Sequence, residues 1–247
     1  MDFNSVADDF FVNLNLQTTL ALPNSRETVL HFFEAVRKQF PEMTSFFQRE
    51  GGEHVLEGDR DRGHYPWMEL QTHNLAAGYF NPAGLDEAYS LHRWLLERSV
   101  YYLGVGGIDV DALDVLFGFN LDFRGNRDAV AAQALLSDCP LAALAGEASV
   151  TTIEFQPSLV VSLDEACDLQ ARLSLETRSS SYQVRTGQYD DEPISIYLTV
   201  RVYPSPGKAP DLVESFARQC EVCEDLAVRV VVPQVIQPLA AAIAASQ

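Results

Sequence analysis

A strand followed by a turn and a helix occurs twice in this sequence, at residues 12–29 and again at residues 113–130. In both stretches apolar residues alternate with small or polar ones, which is the two-residue period of a half-buried strand. The later copy continues through a Gly-Asn turn at 125–126, where a helix is expected to begin. Val12 in the first copy matches Val115 in the second, 103 positions later. The recurrence predicts an internal duplication of a mixed strand and helix unit.

The order of elements extends this match over the chain and predicts a first α+β repeat at residues 1–110 and a second at 111–247. Each repeat is expected to contain a strand, a helix, further strands, a long strand, a Pro/Gly turn and a second helix. The long strand is expected at 66–80 in the first repeat and at 194–202 in the second. The second repeat is expected to contain an extra hairpin around 150–187.

Each expected strand has one apolar and one polar face, so it needs cover on one side only. The sequence therefore predicts an α+β fold with a largely antiparallel sheet and with the helices packed on one face. A duplicated β-α-β(n)-α unit of this kind resembles, in its topology, the pseudo-two-fold TATA-binding-protein-like and tandem ferredoxin-like arrangements. That resemblance implies a fold class and no particular activity.

Several shorter segments have less regular patterns, and their expected structures follow from local composition. One helical turn is expected at residues 42–48. Short strands are expected at 100–105, 182–186 and 228–232, and a last helix is expected from Gln234 onward.

The charge of the chain limits its partners. It contains 35 acidic and 17 basic residues, which give a formal net charge of −18. Binding to nucleic acid and to anionic membranes depends on Lys and Arg side chains that neutralise negative charge. Nucleic-acid and membrane partners are therefore not expected, whereas a basic or neutral partner is compatible with this charge.

Cysteine content and the absence of targeting signals predict a cytoplasmic protein. Four cysteines among 247 residues do not form a disulfide framework. The first residues lack a basic region followed by an apolar run, so no secretory signal is expected. Charged residues, Gln or Pro interrupt every apolar tract before about eighteen residues, so no membrane span is expected.

Histidines are concentrated in the first repeat, where all five lie. His64, Glu69 and His73 combine imidazole and carboxylate groups, which are ligands for transition metals. No HxH or HExxH spacing accompanies them, and a solvated strand face explains the same residues more simply. A small-molecule enzyme or metal-binding protein with a site around Glu69 and His73 is thus the alternative function.

Other chemistry-bearing motifs lack the context that their chemistry requires. Cys220 and Cys223 have CxxC spacing, but they fall late in an expected helix rather than at its N-terminus. The glycine-rich stretch at 104–107 is not followed directly by a helix, so it offers no dinucleotide site. The serines at 179–181 have no G-x-S-x-G context. No cofactor is therefore expected.

The leading hypothesis is a non-enzymatic binding or assembly protein that uses the polar face of its sheet. Candidate ligand-binding residues on that face are Glu69, Gln71, His73, Tyr197 and Arg201. The expected partner is another protein, a second copy joined through an open sheet edge, or a small molecule. Aromatic residues near element ends would mark a partner surface if several were exposed together.

Overall fold

The computed structural model describes residues 2–137, 139–147, 149–204 and 211–246. Its strands are β1 (Asp9–Thr18), β2 (Ser45–Gln48), β3 (His54–Glu57), β4 (Tyr65–Leu70), β5 (Asn74–Phe80), β6 (Val110–Leu121), β7 (Ser158–Ser162), β8 (Leu169–Glu176) and β9 (Ile194–Val202). Its α-helices are α1 (Arg26–Gln39), α2 (Leu85–Tyr102), α3 (Arg127–Leu135), α4 (Ala142–Ala145), α5 (Ser181–Thr186), α6 (Leu212–Leu226) and α7 (Gln237–Ser246). The strands form one nine-stranded sheet in the order β2-β3-β4-β5-β1-β6-β9-β8-β7.

Every pair of neighbouring strands in this sheet is antiparallel. The two strands at its centre are β1 and β6, in which Val12 lies directly opposite Phe117. The residues of β1 alternate between buried and partly buried along the whole strand. Phe117 and Phe119 of β6 are fully buried. The predicted α+β class and antiparallel sheet are confirmed.

Side-chain caps fix where the helices begin after the two central strands. Ser25 accepts a hydrogen bond from the Thr28 amide at the start of α1. Asn126 accepts one from the Ala129 amide at the start of α3. Each cap satisfies a backbone donor that the first helical turn leaves unpaired. The strand-to-helix unit predicted at residues 113–130 is therefore present.

The helices lie on one side of the sheet and enclose the apolar core. Phe32 of α1 and Leu95 of α2 are fully buried there. The α6 helix packs on β6 and β9, and its buried Gln219 donates hydrogen bonds to the carbonyls of Leu113 and Val200. Among the described residues, no helix covers the other side of the sheet. That side, which contains the partly buried residues of β1, is called the open face below.

A long helical rod ends the described chain. In it, α6 continues through a ten-residue π-helical segment (Ala227–Ile236) into α7. Pro233 lies within that segment, and it lacks the amide hydrogen that a regular helix would use. The rod, Leu212–Ser246, contains 35 residues and is long and apolar enough to span a membrane by length and composition, as are core helices of some soluble proteins. It packs against the sheet and against α3.

Three local predictions in the first half are wrong, each for a physical reason. Residues 66–80 form the β4–β5 hairpin instead of one strand, because the turn at 71–73 contains neither Gly nor Pro to signal it. Residues 42–48 contain β2, whose pairing with β3 overrides any helical preference. Residues 100–105 continue α2 as far as Tyr102, whose partly buried ring packs against the core.

Two local predictions in the second half are also wrong. Residues 182–186 lie in α5, which begins with a capping box between Ser180 and Gln183. Residues 228–232 lie in the π-helical segment, because the helices on either side continue through this valine-rich stretch. The Pro/Gly turn predicted after β9 lies mainly in residues 205–210, outside the described residues.

Candidate functional site

An aromatic row crosses the open face over strands β4, β5, β1, β6 and β9. Its members, each directly opposite the next, are Tyr65, Phe80, Phe11, Gly118 and Tyr197. Phe80 stacks on Tyr65 with ring centroids 5.4 Å apart and on Phe11 with centroids 6.1 Å apart. Phe11 meets Tyr197 edge to face at 6.2 Å. All four rings are partly exposed, so they form a continuous ring surface over five strands.

Gly118 allows the aromatic row to lie flat. A Cβ atom at this position would come within 2.2 Å of Cε2 and Cζ of Phe11. The Phe11 ring therefore lies over the glycine and reaches Tyr197 two strands away. The Tyr197 hydroxyl accepts a hydrogen bond from Nη2 of Arg178 at 2.7 Å, which fixes the far end of the row.

Gly78, in the neighbouring cross-strand row, also leaves room for side chains to lie over its Cα atom. A Cβ atom at Gly78 would come within 2.2 Å of Asn13 Oδ1 and 2.5 Å of Trp67 Nε1. Asn13 Oδ1 is buried and has no hydrogen-bond partner among the described residues. An acceptor of this kind costs free energy until it finds a donor, and it lies directly beside the aromatic row.

Ion pairs balance the carboxylates in the next row of the open face. Nearly buried Asp114 accepts from Arg201 twice, at 2.6 Å from Nε and 2.6 Å from Nη2. These hydrogen bonds raise the pKa of the Arg201 guanidinium above its ordinary value. Glu69 lies 3.2 Å from Arg49 Nη2 and accepts from Gln71 Nε2 at 2.5 Å.

Negative charge is concentrated along the opposite long side of the aromatic row. The carboxylates of Asp8, Asp9 and Asp122 that lie there are called the acidic end below. The Asp122 amide donates to Oδ2 of Asp8 at 2.7 Å, and Asp9 lies opposite Asn120 in the β1–β6 register. Partial burial, followed by the charges of Asp8, Asp9 and Asp191, raises the pKa of Asp122. A cationic group brought to the acidic end would therefore be attracted.

The five predicted ligand-binding residues do not meet at one point. Glu69 and Arg201 lie in one cross-strand row, but four strand spacings separate them by about 19 Å. Gln71 and His73 lie in the β4–β5 turn rather than on a strand. Tyr197 is the member of this set that belongs to the aromatic row.

The predicted metal alternative is not assembled as a ligand set. His64 is exposed, with Nδ1 3.2 Å from the Arg62 carbonyl oxygen. His73 is exposed in the β4–β5 turn, and Glu69 is occupied by Arg49 and Gln71. In the described ranges, no group of three or more His, Cys, Asp and Glu side chains is placed to hold a metal ion.

A polar cleft of about 510 Å³ opens beside the β4–β5 turn. Its lining includes Gln48, Glu53, His54, Gln71 and His73. His54 stacks on Phe46 with centroids 6.3 Å apart, and its buried Nδ1 has no partner among the described residues. The cleft is thus large and polar enough for a small hydrophilic molecule.

The CxxC cysteines and one histidine lie in the core between α2 and α6. Burial lowers the pKa of His92 to about 3 and raises the pKa of Cys220 to about 12. Burial also raises the pKa of Cys223 well above its ordinary range. A fully buried imidazole with so low a pKa is a weak base, and protonated thiols are poor nucleophiles at neutral pH. Both cysteines therefore lie in the core and late in α6, away from the helix N-terminus that a redox CxxC motif uses.

Sequence patterns identify only part of the aromatic row. The period of β1 places Phe11 on the same side as Asn13 and Asn15, and the period of β9 does the same for Tyr197. Phe80 and Tyr65 join them only because of the strand order and register, which pair residues far apart in the sequence. Neither a scan against protein-family models nor a search of curated proteins found a match to this chain.

Proposed function

We propose that this chain is a non-enzymatic binding protein whose open face docks a basic polypeptide segment with aromatic or aliphatic side chains. The observation that carries the proposal is the aromatic row of Tyr65, Phe80, Phe11 and Tyr197. Protein interfaces are enriched in such side chains, and rigid aromatic groups supply most of the binding energy at their centres. Monomeric proteins seldom leave large connected apolar surfaces in contact with water.

Charge supports a basic partner. The acidic end lies along one side of the aromatic row, and the whole chain has a net charge of −18. The ion pairs of Asp114 and Glu69 leave little free charge on the other side of the row. A segment that combines Lys or Arg with apolar side chains would therefore meet both features at once. Electrostatic attraction of this kind accelerates association and weakens as salt rises.

A pair of labelled synthetic peptides tests the proposal. One contains alternating Lys and Phe, and the other contains Glu in place of Lys. We expect the Lys/Phe peptide to bind in fluorescence polarisation, and Phe11→Ala to weaken binding by about tenfold, or about 1.4 kcal/mol. Tyr101→Ala is the matched control, since Tyr101 is 79% exposed on α2, away from the open face.

Two results would contradict this function. Equal binding of the Glu/Phe peptide would remove the role of the acidic end. Unchanged binding by Phe11→Ala and by Tyr197→Ala, with thermal unfolding confirming that both variants fold, would remove the aromatic row as the site. A cytoplasmic location belongs to the same proposal, and recovery of the full chain in the membrane fraction would contradict it.

We also propose that the chain contains a duplicated β-α-β(n)-α unit with a pseudo-two-fold, TATA-binding-protein-like arrangement, with repeats at 1–110 and 111–247. The strand order supports this, because β5-β1 and β6-β9 flank the sheet centre as mirror-ordered pairs. With the 103-position offset between Val12 and Val115, the residue that corresponds to Asn13 is Leu116. Asn13 and Leu116 lie directly opposite each other in the sheet. A two-fold axis between the repeats would pass between them.

In this arrangement, β7 and β8 correspond in position to β3 and β4. The hairpin predicted around 150–187 is then a counterpart and not an addition, and the extra length of the second repeat lies in its connections. A structure of an isolated chain covering residues 1–110, paired with itself through β1, would test the correspondence directly.

The polar cleft favours a second candidate function, binding of a small hydrophilic molecule near Gln71 and His73. Its volume of about 510 Å³ lies within the usual range for ligand sites. Thermal-shift screening of sugars, amino acids and nucleosides, with His54→Ala as the variant, tests it. Elemental analysis of the purified protein tests the alternative of a metal-binding site. Stoichiometric bound metal would support that alternative, and its absence would contradict it.

A further inference from the structure

Strand β7 is the least protected element of the sheet. All five of its residues are exposed, including Leu159 at 64%, Val160 at 46% and Val161 at 42%. Its partner in the described sheet is β8 alone. Its sequence, Ser-Leu-Val-Val-Ser, contains neither a charged residue nor a proline. Edge strands of monomeric proteins usually carry one of these protections, because an unprotected edge pairs with another strand.

The backbone of β7 alternates between groups that bind β8 and groups that point away from it. The Leu163 amide donates to the Leu169 carbonyl at 2.8 Å, and the Leu175 amide donates to the Pro157 carbonyl at 3.0 Å. Odd-numbered residues of β7 therefore exchange hydrogen bonds with β8, as an antiparallel ladder requires. The even-numbered residues, Ser158, Val160 and Ser162, direct their backbone amides and carbonyls to the free edge.

We propose that two copies of this chain associate by pairing their β7 strands antiparallel about a two-fold axis at Val160. In this register Val160 lies opposite Val160 of the second copy, and Ser158 lies opposite Ser162. Each of these pairs exchanges two backbone hydrogen bonds, since their donors and acceptors all point to the free edge. Leu159 lies opposite Val161 of the second copy on the helix side of the sheet, where both are exposed in a single chain.

The segment is self-complementary, which identifies a second copy as the occupant. Serine lies opposite serine and aliphatic residues lie opposite aliphatic residues when the strand is paired with itself. Over residues 154–166 the register places no charged residue opposite another. The pairing therefore places no like charges directly opposite each other, even though the whole chain is strongly acidic.

The edge strand at the other end of the sheet is a poorer partner. The Arg49 amide donates to the Glu53 carbonyl at 2.9 Å, so odd-numbered residues of β2 face β3. Only Phe46 and Gln48 of β2 then point their backbone groups outward. The Phe46 ring is held against Phe33 at 5.2 Å between centroids. Strand β7 has three residues whose backbone groups point to the free edge, compared with two in β2, and all of its residues are exposed.

A two-fold axis perpendicular to the sheet keeps the helices of both copies on the same side. The open faces of the two copies would then join into one surface with two aromatic rows. The association itself does not depend on any ligand, so it can be tested apart from the proposed binding function.

Sedimentation equilibrium of the full chain over a range of concentrations tests the association. Val160→Pro removes the outward amide without removing a hydrogen bond to β8, and Val160→Lys places two like charges at the axis. Val100→Lys is the control, because Val100 is 48% exposed at the end of α2. We expect the wild type and the control to dimerise, and both Val160 variants to dimerise at least about tenfold more weakly, or about 1.4 kcal/mol.

Amide hydrogen exchange measured at low and high protein concentration identifies the surface. We expect protection that increases with concentration at Val160 and Ser162, while the Leu159 and Val161 amides stay protected at both concentrations by β8. Added salt should strengthen the dimer, because it screens repulsion between two acidic chains. A chain that stays monomeric at all concentrations, or a dimer that Val160→Lys leaves intact, would overturn the proposal.

Discussion

Near the β2 end of the sheet the helix side of β3 is covered, whereas the helix side of β7 at the opposite end is exposed. Helix α1, with 14 residues, packs Phe33 against Phe46 of β2 and His54 of β3, and Leu56 of β3 is fully buried. Helix α3, with nine residues, packs on α7 instead, and Leu159 of β7 stays 64% exposed. Both strands have apolar residues on that side. The apolar side of β3 is thus buried beneath a helix, while the apolar side of β7 stays exposed.

The largest expected effect is a difference between matched leucines at the two ends. Leu56→Ala should lower the free energy of unfolding by about 2–5 kcal/mol, because it empties a packed core position. Leu159→Ala should change it by about 0.5 kcal/mol or less, since an exposed side chain leaves no cavity. Urea unfolding of dilute protein measures both. Similar losses for the two variants would show that the β7 end is also covered.

Arg127 is expected to be the main anchor of the second half. It is fully buried and donates to the carbonyls of Thr177, Asp190 and Glu192. Arg127→Met should lower the free energy of unfolding by about 2–3 kcal/mol, because the buried carbonyls lose their donor. Arg124→Met is the control, since exposed pairs such as Arg124–Asp191 contribute little. Equal urea midpoints for the two variants would contradict this role.

The ion pairs on the open face should also differ between the halves. Asp114→Asn should lower the free energy of unfolding by about 2 kcal/mol, because it weakens the bidentate hydrogen bonds between nearly buried Asp114 and partly exposed Arg201. Arg49→Gln should cost less than about 1 kcal/mol, since half of the Arg49 side chain is exposed. Chemical unfolding at low and high salt measures both. A larger loss for Arg49→Gln would reverse the comparison.

The smallest expected effect is a pH dependence at the acidic end. Because the pKa of folded Asp122 is raised above its usual 3.8, its contribution to stability is present below that pH and is lost as pH rises through the folded pKa. Asp122→Asn should therefore raise the melting temperature more at pH 7 than at pH 3. Asp191→Asn should do the opposite, since Arg124 lowers the pKa of Asp191. Calorimetry across this pH range checks both signs.

Strong local patterns were sufficient to predict the elements nearest the sheet centre. The alternation of β1, β6 and β9 is encoded within a few residues, whereas the sequence left Asn24 or Ser25 and Asn126 or Asp128 as possible caps, of which the structure has Ser25 and Asn126. The β4–β5 hairpin was missed because Gln71, Thr72 and His73 turn without a glycine or proline. The helical state of residues 228–232 was missed because the helices before and after this stretch continue through it, which overrides the strand preference of valine.

The site was harder to predict than the fold class. Phe11 and Tyr197 have the right face by their periodicity, but the sequence does not contain the strand order that brings Phe80 and Tyr65 beside them. Glu69 was correctly placed on a strand, yet its partner Arg49 comes from beyond the end of β2. Contacts between distant segments are set by the register of the sheet, and no local pattern reports it.

The pairing at the sheet centre has a consequence for how the chain is made. Asp9 of β1 lies opposite Asn120 of β6, so β1 emerges from the ribosome long before its second neighbour does. At about 5–20 residues per second, that interval lasts roughly 5–20 s. The nascent first half can pair β1 with β5 during this time, but the other edge of β1 stays open. The rate of translation between residues 80 and 120 therefore sets how long the open edge of β1 can pair with other nascent chains made on the same mRNA.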